Sequence, residues 1–305
     1  MRKLPYSLVD VFTDRPFGGN QLAVFTDARD LSPDVMQALA KELNLSETSF
    51  VLSASDPAHD YHVRIFTPAI ELPMAGHPTI GTAFVLAHEH LIQTSGTETT
   101  ISFEEGVGVI PVTIRSKEGR IHVIQMRQPL PIFGSQFAEK EAIAQMLSLD
   151  LAALDATLPL EVISCGVPFL FVPVKDLAAM RSIRFRVDVW ERVLRDFEAP
   201  HLFVFTQEVV ARGSTVHSRM FAPAMGIAED PATGAASGPL GCYLVRHGRV
   251  PSARAVEIVS EQGFEMGRPS FIQVMIEQEG KDITGVHVGG QCYFMGEGYI
   301  EVPES

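Results

Sequence analysis

Two stretches of the chain, RIFTPAIELPMAGHPTIGTA at residues 64–83 and RMFAPAMGIAEDPATGAA at residues 219–236, carry the same pattern of residues. The first part of the pattern recurs at a constant spacing, as Arg64 and Arg219, Phe66 and Phe221, Pro68 and Pro223, and Ala69 and Ala224. After a short deletion, His77-Pro78, Gly81 and Ala83 correspond to Asp230-Pro231, Gly234 and Ala236. One repeat of this length predicts a duplicated domain rather than a solenoid.

The sequence around each copy predicts a similar order of elements. Ser32 is a favourable N-cap and Pro33 suits the first helical position, so a helix is predicted to begin there. Strands are then predicted at 50–54 and 61–66. The second half predicts a helix at 188–197, followed by strands at 202–206 and 216–221.

Each copy ends in an apolar segment, at residues 78–88 and 231–246, that predicts a helix rich in small residues. A helix that is apolar on all sides is usually buried, so we expect each of these helices to lie inside its own half. Many strands with a few buried helices indicate an α+β fold with mostly antiparallel sheets.

The composition limits the possible classes of function. The 305 residues suit two domains of roughly 150 residues each. With 24 basic and 37 acidic residues, the formal net charge is −13, so we expect neither a nucleic-acid nor a membrane partner. Three widely spaced cysteines and the lack of a long apolar run in the sequence predict a cytoplasmic protein without a disulfide framework.

Two loop-to-helix junctions, AGHP at 75–78 and EDPATG at 229–234, are predicted to place proline in the first helical turn. The N–H groups of such a turn bind carboxylate or phosphate groups. Because the duplication relates the two junctions, we predict that they face each other and hold one small anion. Taken alone, Asp230 is explained equally well as an N-cap, and a lone histidine such as His77 is usually structural.

Two further positions carry polar groups with a possible chemical role. Glu47, in NLSETSF at 44–50, falls where the first predicted helix gives way to a strand. A carboxylate in that place can move protons when partial burial raises its pKa, and the alternative is a polar turn residue. The segment FGGN at 17–20 predicts a hairpin turn between strands at 7–12 and 21–25, and the turn can also contact substrate.

Other residues carry weaker signals. The segment HEH at 88–90 places alternate residues on different faces of a helix, so we predict no metal site. The sequence has no dinucleotide fingerprint, P-loop, GxSxG or lysine-bearing cofactor motif. Cys165 and Cys242 are predicted to be small buried apolar residues.

Four segments together resemble the PhzF-like family of phenazine biosynthesis: VFTD at 11–14 through FGGNQLAVF at 17–25, NLSETSF at 44–50, AGHPTIG at 75–81 and EDPATG at 229–234. The resemblance covers nearly the whole chain. It implies the diaminopimelate-epimerase fold, with two pseudo-symmetric domains, each a barrel-like sheet around a central helix. We place the N-terminal half at 1–125 plus about 288–305 and the C-terminal half at 126–287.

The resemblance also implies an active site in the cleft between the halves, no cofactor and a homodimer. In the phenazine enzyme a glutamate acts as acid and base, and it matches Glu47. The family's histidine and aspartate partners match His77 and Asp230. The substrate-binding residues are predicted to be Asn20, Gly76, Gly234 and Ala235.

Two positions separate this chain from its wider relatives. Related amino-acid epimerases use two cysteines at positions that match Gly76 and Ala235, so a two-thiol mechanism is not available. The phenazine enzyme has a serine in place of Ala235, so the resemblance covers the scaffold and the catalytic set rather than the substrate.

We therefore predict a cofactor-independent isomerase of a small carboxylate metabolite, with Glu47 as the general acid and base. One alternative is a binding scaffold of the same fold that has lost turnover. Another is a racemase in which Asp230 acts as the second base opposite Glu47.

Overall fold

A computed structural model describes residues 1–251 and 253–303 of the chain. The chain forms two compact units, Met1–Arg127 with Val288–Ser305, and Gln128–His287. None of the helices among these described residues could span a membrane.

The fold consists mainly of strands. They are β1 (Arg2–Val11), β2 (Asn20–Phe25), β3 (Glu47–Ser53), β4 (Tyr61–Phe66), β5 (Glu71–Leu72), β6 (Glu98–Glu105), β7 (Gly108–Lys117), β8 (Arg120–Gln128), β9 (Ile132–Gln136), β10 (Glu161–Ser164), β11 (Pro168–Pro173), β12 (Leu202–Thr206), β13 (Val216–Ala222), β14 (Ile227–Asp230), β15 (Ala255–Gln262), β16 (Ser270–Glu279), β17 (Asp282–Gly290) and β18 (Cys292–Val302). The α-helices are α1 (Pro33–Leu43), α2 (Gly76–His88), α3 (Lys140–Leu147), α4 (Leu177–Ser182), α5 (Val187–Val193) and α6 (Gly234–Arg246).

The two units repeat one order of strands. In the first unit, β1–β2, β3–β4 and β6–β7 are antiparallel pairs, while β2–β3 and β4–β6 are parallel. In the second unit, β10–β11, β12–β13 and β15–β16 are antiparallel, while β11–β12 and β13–β15 are parallel. The predicted α+β class with mostly antiparallel sheets is confirmed.

A buried helix lies at the centre of each unit. In α2 the residues from Gly76 to Ala87 are buried, and in α6 those from Gly234 to Leu244 are buried. A Cβ atom on Gly81 of α2 would lie 2.6 Å from Leu22 Cδ2, and one on Gly241 of α6 would lie 2.8 Å from Val274 Cγ1. Small residues on these helices therefore let the strands approach the helix backbone.

Further helices pack outside the central ones. The N-terminus of α1 is formed as predicted, because Ser32 Oγ accepts a hydrogen bond from Val35 N–H and Pro33 is the first helical residue. Met36 of α1 belongs to a buried cluster with Phe25 and Phe50 in the first unit. In the second unit, α3 and α5 belong to a cluster that includes Ile143, Met146, Leu147, Val189 and Trp190.

Two predicted helix boundaries are wrong. The helix predicted at 231–246 begins only at Gly234, because the chain stays extended in β14 and pairs with β13 up to Asp230. Pro231 therefore precedes the helix instead of lying in its first turn. The helix predicted at 188–197 ends at Val193, and Leu194 is its C-cap.

Candidate active site

A carboxylate and an imidazole lie together in the buried interior of the first unit. Glu47 is the first residue of β3 and is 6% exposed, while His77 is the second residue of α2 and is 3% exposed. Nε2 of His77 lies 3.3 Å from Oε2 of Glu47. Glu47 and His77, which the family resemblance assigns to one site, are therefore in contact within one unit.

The imidazole of His77 is held in its neutral form. Burial lowers the pKa of His77 to about 3, and a backbone hydrogen bond with Gln21 opposes part of this effect. The side-chain nitrogen of Asn20, Nδ2, lies 3.2 Å from Nδ1 of His77. Nδ1 therefore lies against Asn20, whereas Nε2, on the side of Glu47, makes no hydrogen bond within the described residues.

The predicted turn at 17–20 places Asn20 for this contact. Gly19 has a φ of +63°, and a Cβ atom there would lie 2.3 Å from the carbonyl oxygen of Val11, so only glycine fits. The backbone N–H of Phe17 donates to Oδ2 of Asp10 at 2.9 Å. Asn20 then begins β2 directly opposite Val11 in the antiparallel pair.

A second buried polar group lies in the other unit. Asp230 is the last residue of β14 and is 4% exposed. Thr233 Oγ1 donates to Oδ2 of Asp230 at 2.6 Å. The suggestion that Asp230 is the N-cap of the helix is wrong, because the N-cap position belongs to Thr233.

The sequence copies are not equivalent in helix position. Gly81 lies inside α2, whereas its sequence counterpart Gly234 begins α6. His77 is a helical residue, whereas Asp230 belongs to a strand. Both motifs therefore lead into a central helix, but His77 lies in its helix whereas Asp230 lies in the strand that precedes its helix.

The start of each central helix supplies backbone donors. The first N–H groups of an α-helix have no acceptor within the helix and carry partial positive charge. In α2 these groups belong to Gly76 and His77, since Pro78 has no N–H. In α6 they belong to Gly234 and Ala235, and Ala235 adds only a methyl group that is 8% exposed. These four N–H groups are suited to binding carboxylate oxygens.

The structure also shows where the cysteines and the HEH segment at 88–90 lie. Cys165 and Cys242 are both fully buried, as predicted. Across residues 1–251 and 253–303, no cluster of three or more histidine, cysteine or acidic side chains is arranged to hold a metal ion. His88 stacks on Phe294 with ring centroids 4.3 Å apart, and Oε1 of Glu89 accepts a hydrogen bond from Ser7.

Two side chains that hold the helix starts, Glu105 and Gln262, were not predicted from the sequence. Glu105 Oε1 lies 2.5 Å from Thr79 Oγ1 in α2, and Gln262 contacts Thr233 at the N-cap of α6. A signal was available in the short segments EEG at 104–106 and EQG at 261–263, which extend the duplication.

The fold and the site together define a class of protein. Two similar units, each with its strands around a buried helix whose start lies beside a buried carboxylate, are typical of isomerases and epimerases with the diaminopimelate epimerase-like fold. The sequence model of the family described as "Phenazine biosynthesis-like protein" matches residues 9–298. The chain belongs to this family.

Relatives within the family include enzymes of defined activity. The chain is 36% identical over 293 residues to trans-2,3-dihydro-3-hydroxyanthranilate isomerase of Pseudomonas aeruginosa, covering 96% of this chain and 98% of the relative. This similarity over nearly the full length identifies the chain as an isomerase and argues against a scaffold without turnover.

Solved structures agree with the fold. A phenazine biosynthesis protein of the PhzF family from Bacillus anthracis has a TM-score of 0.90 and 28% identity, covering 99% of this chain and 100% of that one. A probable proline racemase from Agrobacterium radiobacter has a TM-score of 0.67 at 12% identity, with coverage of 98% and 93%. At that identity the second comparison shows a shared fold only.

Proposed function

We propose that this isomerase shifts a proton within a small carboxylate substrate and that Glu47 is its general acid and base. The observation that carries the proposal is the 3.3 Å contact between Glu47 and His77 at the start of a buried helix. A carboxylate beside a neutral imidazole can exchange a proton with a substrate carbon without a permanent opposing charge. The names of the relatives support an isomerisation of this kind.

The proposed step is balanced within the substrate. Glu47 removes a proton from one carbon, the electron pair of that C–H bond moves into the adjacent unsaturated system, and Glu47 returns the proton to a second carbon. His77 donates a hydrogen bond from Nε2 and stabilises the charge on Glu47 or on the substrate as it develops. The step needs no oxidant and no bound cofactor.

Backbone donors are proposed to bind the substrate carboxylate. The N–H groups of Gly76 and His77 supply them in the first unit. From the sequence duplication we further propose that Asp230 and the N–H groups of Gly234 and Ala235 act on the same substrate. Asp230→Asn should then lower the activity that Glu47→Gln abolishes. Normal turnover by the Asp230→Asn protein would contradict a role of the second unit in the site.

Solvent exchange tests the role of Glu47. The purified protein is incubated in D₂O with trans-2,3-dihydro-3-hydroxyanthranilate, and deuterium uptake is followed by mass spectrometry and NMR. Glu47→Gln should reduce uptake by about 10²–10⁴-fold while leaving substrate binding nearly intact. Glu42→Gln, at an exposed position of α1, is the matched control and should exchange at the wild-type rate.

Two results separate the possible failures. Wild-type exchange by the Glu47→Gln protein would disprove the role of Glu47. Absence of exchange by the wild-type protein would instead exclude this compound as a substrate, and other small carboxylates with an acidic C–H bond would be tested in the same way.

We also propose that the enzyme is a cytoplasmic homodimer that works without a cofactor. The family resemblance and the acidic composition support this proposal. Sedimentation equilibrium should give twice the chain mass of 33.4 kDa. Activity should survive exhaustive dialysis against a chelator, and its loss with recovery on adding back metal would contradict the proposal.

A further inference from the structure

Two side chains occupy equivalent places in the duplicated sheets. β6 ends at Glu105 and β15 ends at Gln262, and each strand follows the central helix of its unit along the chain. Both strands pair in parallel with the second strand of the preceding hairpin. In those pairs Glu104 lies opposite His62, and Glu261 lies opposite His217.

The residues just before them confirm that the two strand ends are equivalent. The carboxylate of Glu104 accepts hydrogen bonds from the backbone N–H groups of Ser55 and Asp56, both at 2.8 Å. The carboxylate of Glu261 accepts from the backbone N–H groups of Val210 and Ala211, at 2.6 and 2.9 Å.

A histidine completes each of these contacts. Nδ1 of His59 lies 2.9 Å from Glu104, and Nδ1 of His217 lies 2.8 Å from Glu261. Each glutamate therefore ties the hairpin loop of its own unit to the strand end. The following residue, Glu105 or Gln262, projects to the other face of its strand, where the central helix begins.

Gln262 uses both polar atoms of its amide on the segment that leads into α6. Its Nε2 donates to the carbonyl oxygen of Asp230 at 2.7 Å and to Oγ1 of Thr233 at 2.9 Å. Its Oε1 accepts from the backbone N–H of Thr233 at 3.0 Å. Since the Thr233 hydroxyl donates to Asp230, Gln262 fixes the carboxylate of Asp230 through Thr233 as well as through its backbone.

Glu105 performs the corresponding task at the start of α2. Thr79 Oγ1 lies 2.7 Å from the carbonyl oxygen of Ala75 and 2.5 Å from Oε1 of Glu105. The Thr79 hydroxyl has one proton and two acceptors within reach, and it donates to Glu105 Oε1 at the shorter distance.

The second oxygen of Glu105 favours a protonated, neutral carboxyl group. Oε2 is buried and has no hydrogen-bond partner among the described residues. An ionised carboxylate would leave a charged oxygen without a donor in the interior, which is more costly than a neutral acid. In agreement, burial raises the pKa of Glu105 to about 8, and the hydrogen bond with Thr79 offsets part of this rise.

We propose that Glu105 and Gln262 are positioning residues, in which a neutral carboxylic acid and an amide of nearly the same shape hold the N-terminal segments of the two central helices. By holding these segments, the two residues position His77 in one unit and Asp230 in the other. This inference rests on the proposed function of those residues. An ionised Glu105 would place negative charge beside the N–H groups proposed to bind a substrate carboxylate, so neutrality favours binding.

The charged groups around Glu105 do not provide a different explanation for its raised pKa. On α2 the nearest titratable residue along the chain is His77, which is neutral because burial lowers its pKa to about 3. On β6 the neighbouring Glu104 points to the other face and is bonded to the hairpin loop. On β7 the residue opposite Glu105 is Gly108, which has no side chain.

A direct titration tests the protonation of Glu105 without turnover. In protein with ¹³C-labelled glutamate carboxyl groups, the Glu105 resonance is identified by its absence in Glu105→Gln. It should titrate well above the ordinary range of glutamate, and a midpoint at or below about 4.5 would overturn the proposal. Because no substrate is involved, failure of Glu47 as the acid and base would not affect this result.

Paired substitutions test positioning with trans-2,3-dihydro-3-hydroxyanthranilate, or another carboxylate shown to undergo exchange. Glu105→Gln, the conservative variant, should keep kcat/KM within about twofold, whereas Glu105→Leu and Gln262→Glu should lower it by about tenfold to a hundredfold in folded protein. The two damaging substitutions should lower kcat more than they change KM. Equal activity in all three variants, or loss in Glu105→Gln alone, would overturn the proposal; if Gln262→Glu does not fold, Gln262→Met replaces it.

Discussion

Nε2 of His77 lies 3.3 Å from Oε2 of Glu47, and both groups are buried in the same unit. Burial keeps the imidazole neutral, so it faces the carboxylate as a neutral polar group and not as a cation. The pair can therefore transfer a proton to a substrate without first breaking a strong buried ion pair, whose separation is costly.

The neutral state of His77 predicts a specific pH dependence of stability. Its folded-state pKa of about 3 lies below the ordinary value of 6.5, so between these values the unfolded chain binds more protons than the native one. Native stability is therefore lost as the pH falls from 6.5 towards 3, by up to about 1.4 kcal/mol per pH unit from this group.

Denaturant titrations can isolate this contribution. His77→Gln lacks the titrating group, so the wild-type protein should lose stability relative to this variant between pH 7 and pH 5. A difference between the two proteins that is the same at both pH values would show that His77 titrates normally in the folded state.

Glu105 predicts a dependence of the opposite sign. Its folded-state pKa of about 8 lies above the ordinary value of 4.5, so the native state holds a proton that the unfolded chain releases. Stability should therefore fall as the pH rises from about 4.5 to about 8 and then level off. Glu105→Gln should be more stable than the wild type at pH 7, and this advantage should disappear at pH 4. An advantage that is unchanged at pH 4 would contradict the prediction.

The duplicated motif made the architecture predictable. The apolar segments at 78–88 and 231–246 predicted helices buried inside the sheets, and this depends only on local composition. The position of Glu47 at the junction of helix and strand was also correctly placed, since β3 begins there. These features follow from sequence periodicity and turn chemistry, which a single chain displays directly.

Other features depend on contacts between residues far apart in the sequence. Asp230-Pro231 is a favourable helix start, yet pairing of β14 with β13 keeps Asp230 extended and moves the helix start to Gly234. The neutral state of Glu105 depends on burial and on a second carboxyl oxygen that has no hydrogen-bond partner among the described residues. Neither effect can be derived from the neighbouring residues alone.

The glycines of the central helices should resist substitution. In α2, a Cβ atom on Gly81 would lie 2.6 Å from Leu22 Cδ2 and 2.7 Å from Val11 Cγ2. Gly81→Ala should therefore destabilise the protein by about 1–3 kcal/mol, although alanine is the better helix former. Val11→Ala in the same protein should restore part of the loss, measured by denaturant unfolding. A Gly81→Ala protein as stable as the wild type would show that the strands can move away from the helix.

Ala235 provides the test of substrate choice. It is the second residue of α6, where a serine would add a hydroxyl group next to the backbone donors of the helix start. A hydrogen bond from that hydroxyl to a charged substrate group is worth about 1.5–3 kcal/mol. Ala235→Ser should therefore raise kcat/KM for trans-2,3-dihydro-3-hydroxyanthranilate by about tenfold or more. Ala236→Ser, which adds the same group one residue further into the helix, should give no gain, and equal effects of the two substitutions would refute a specific role for position 235.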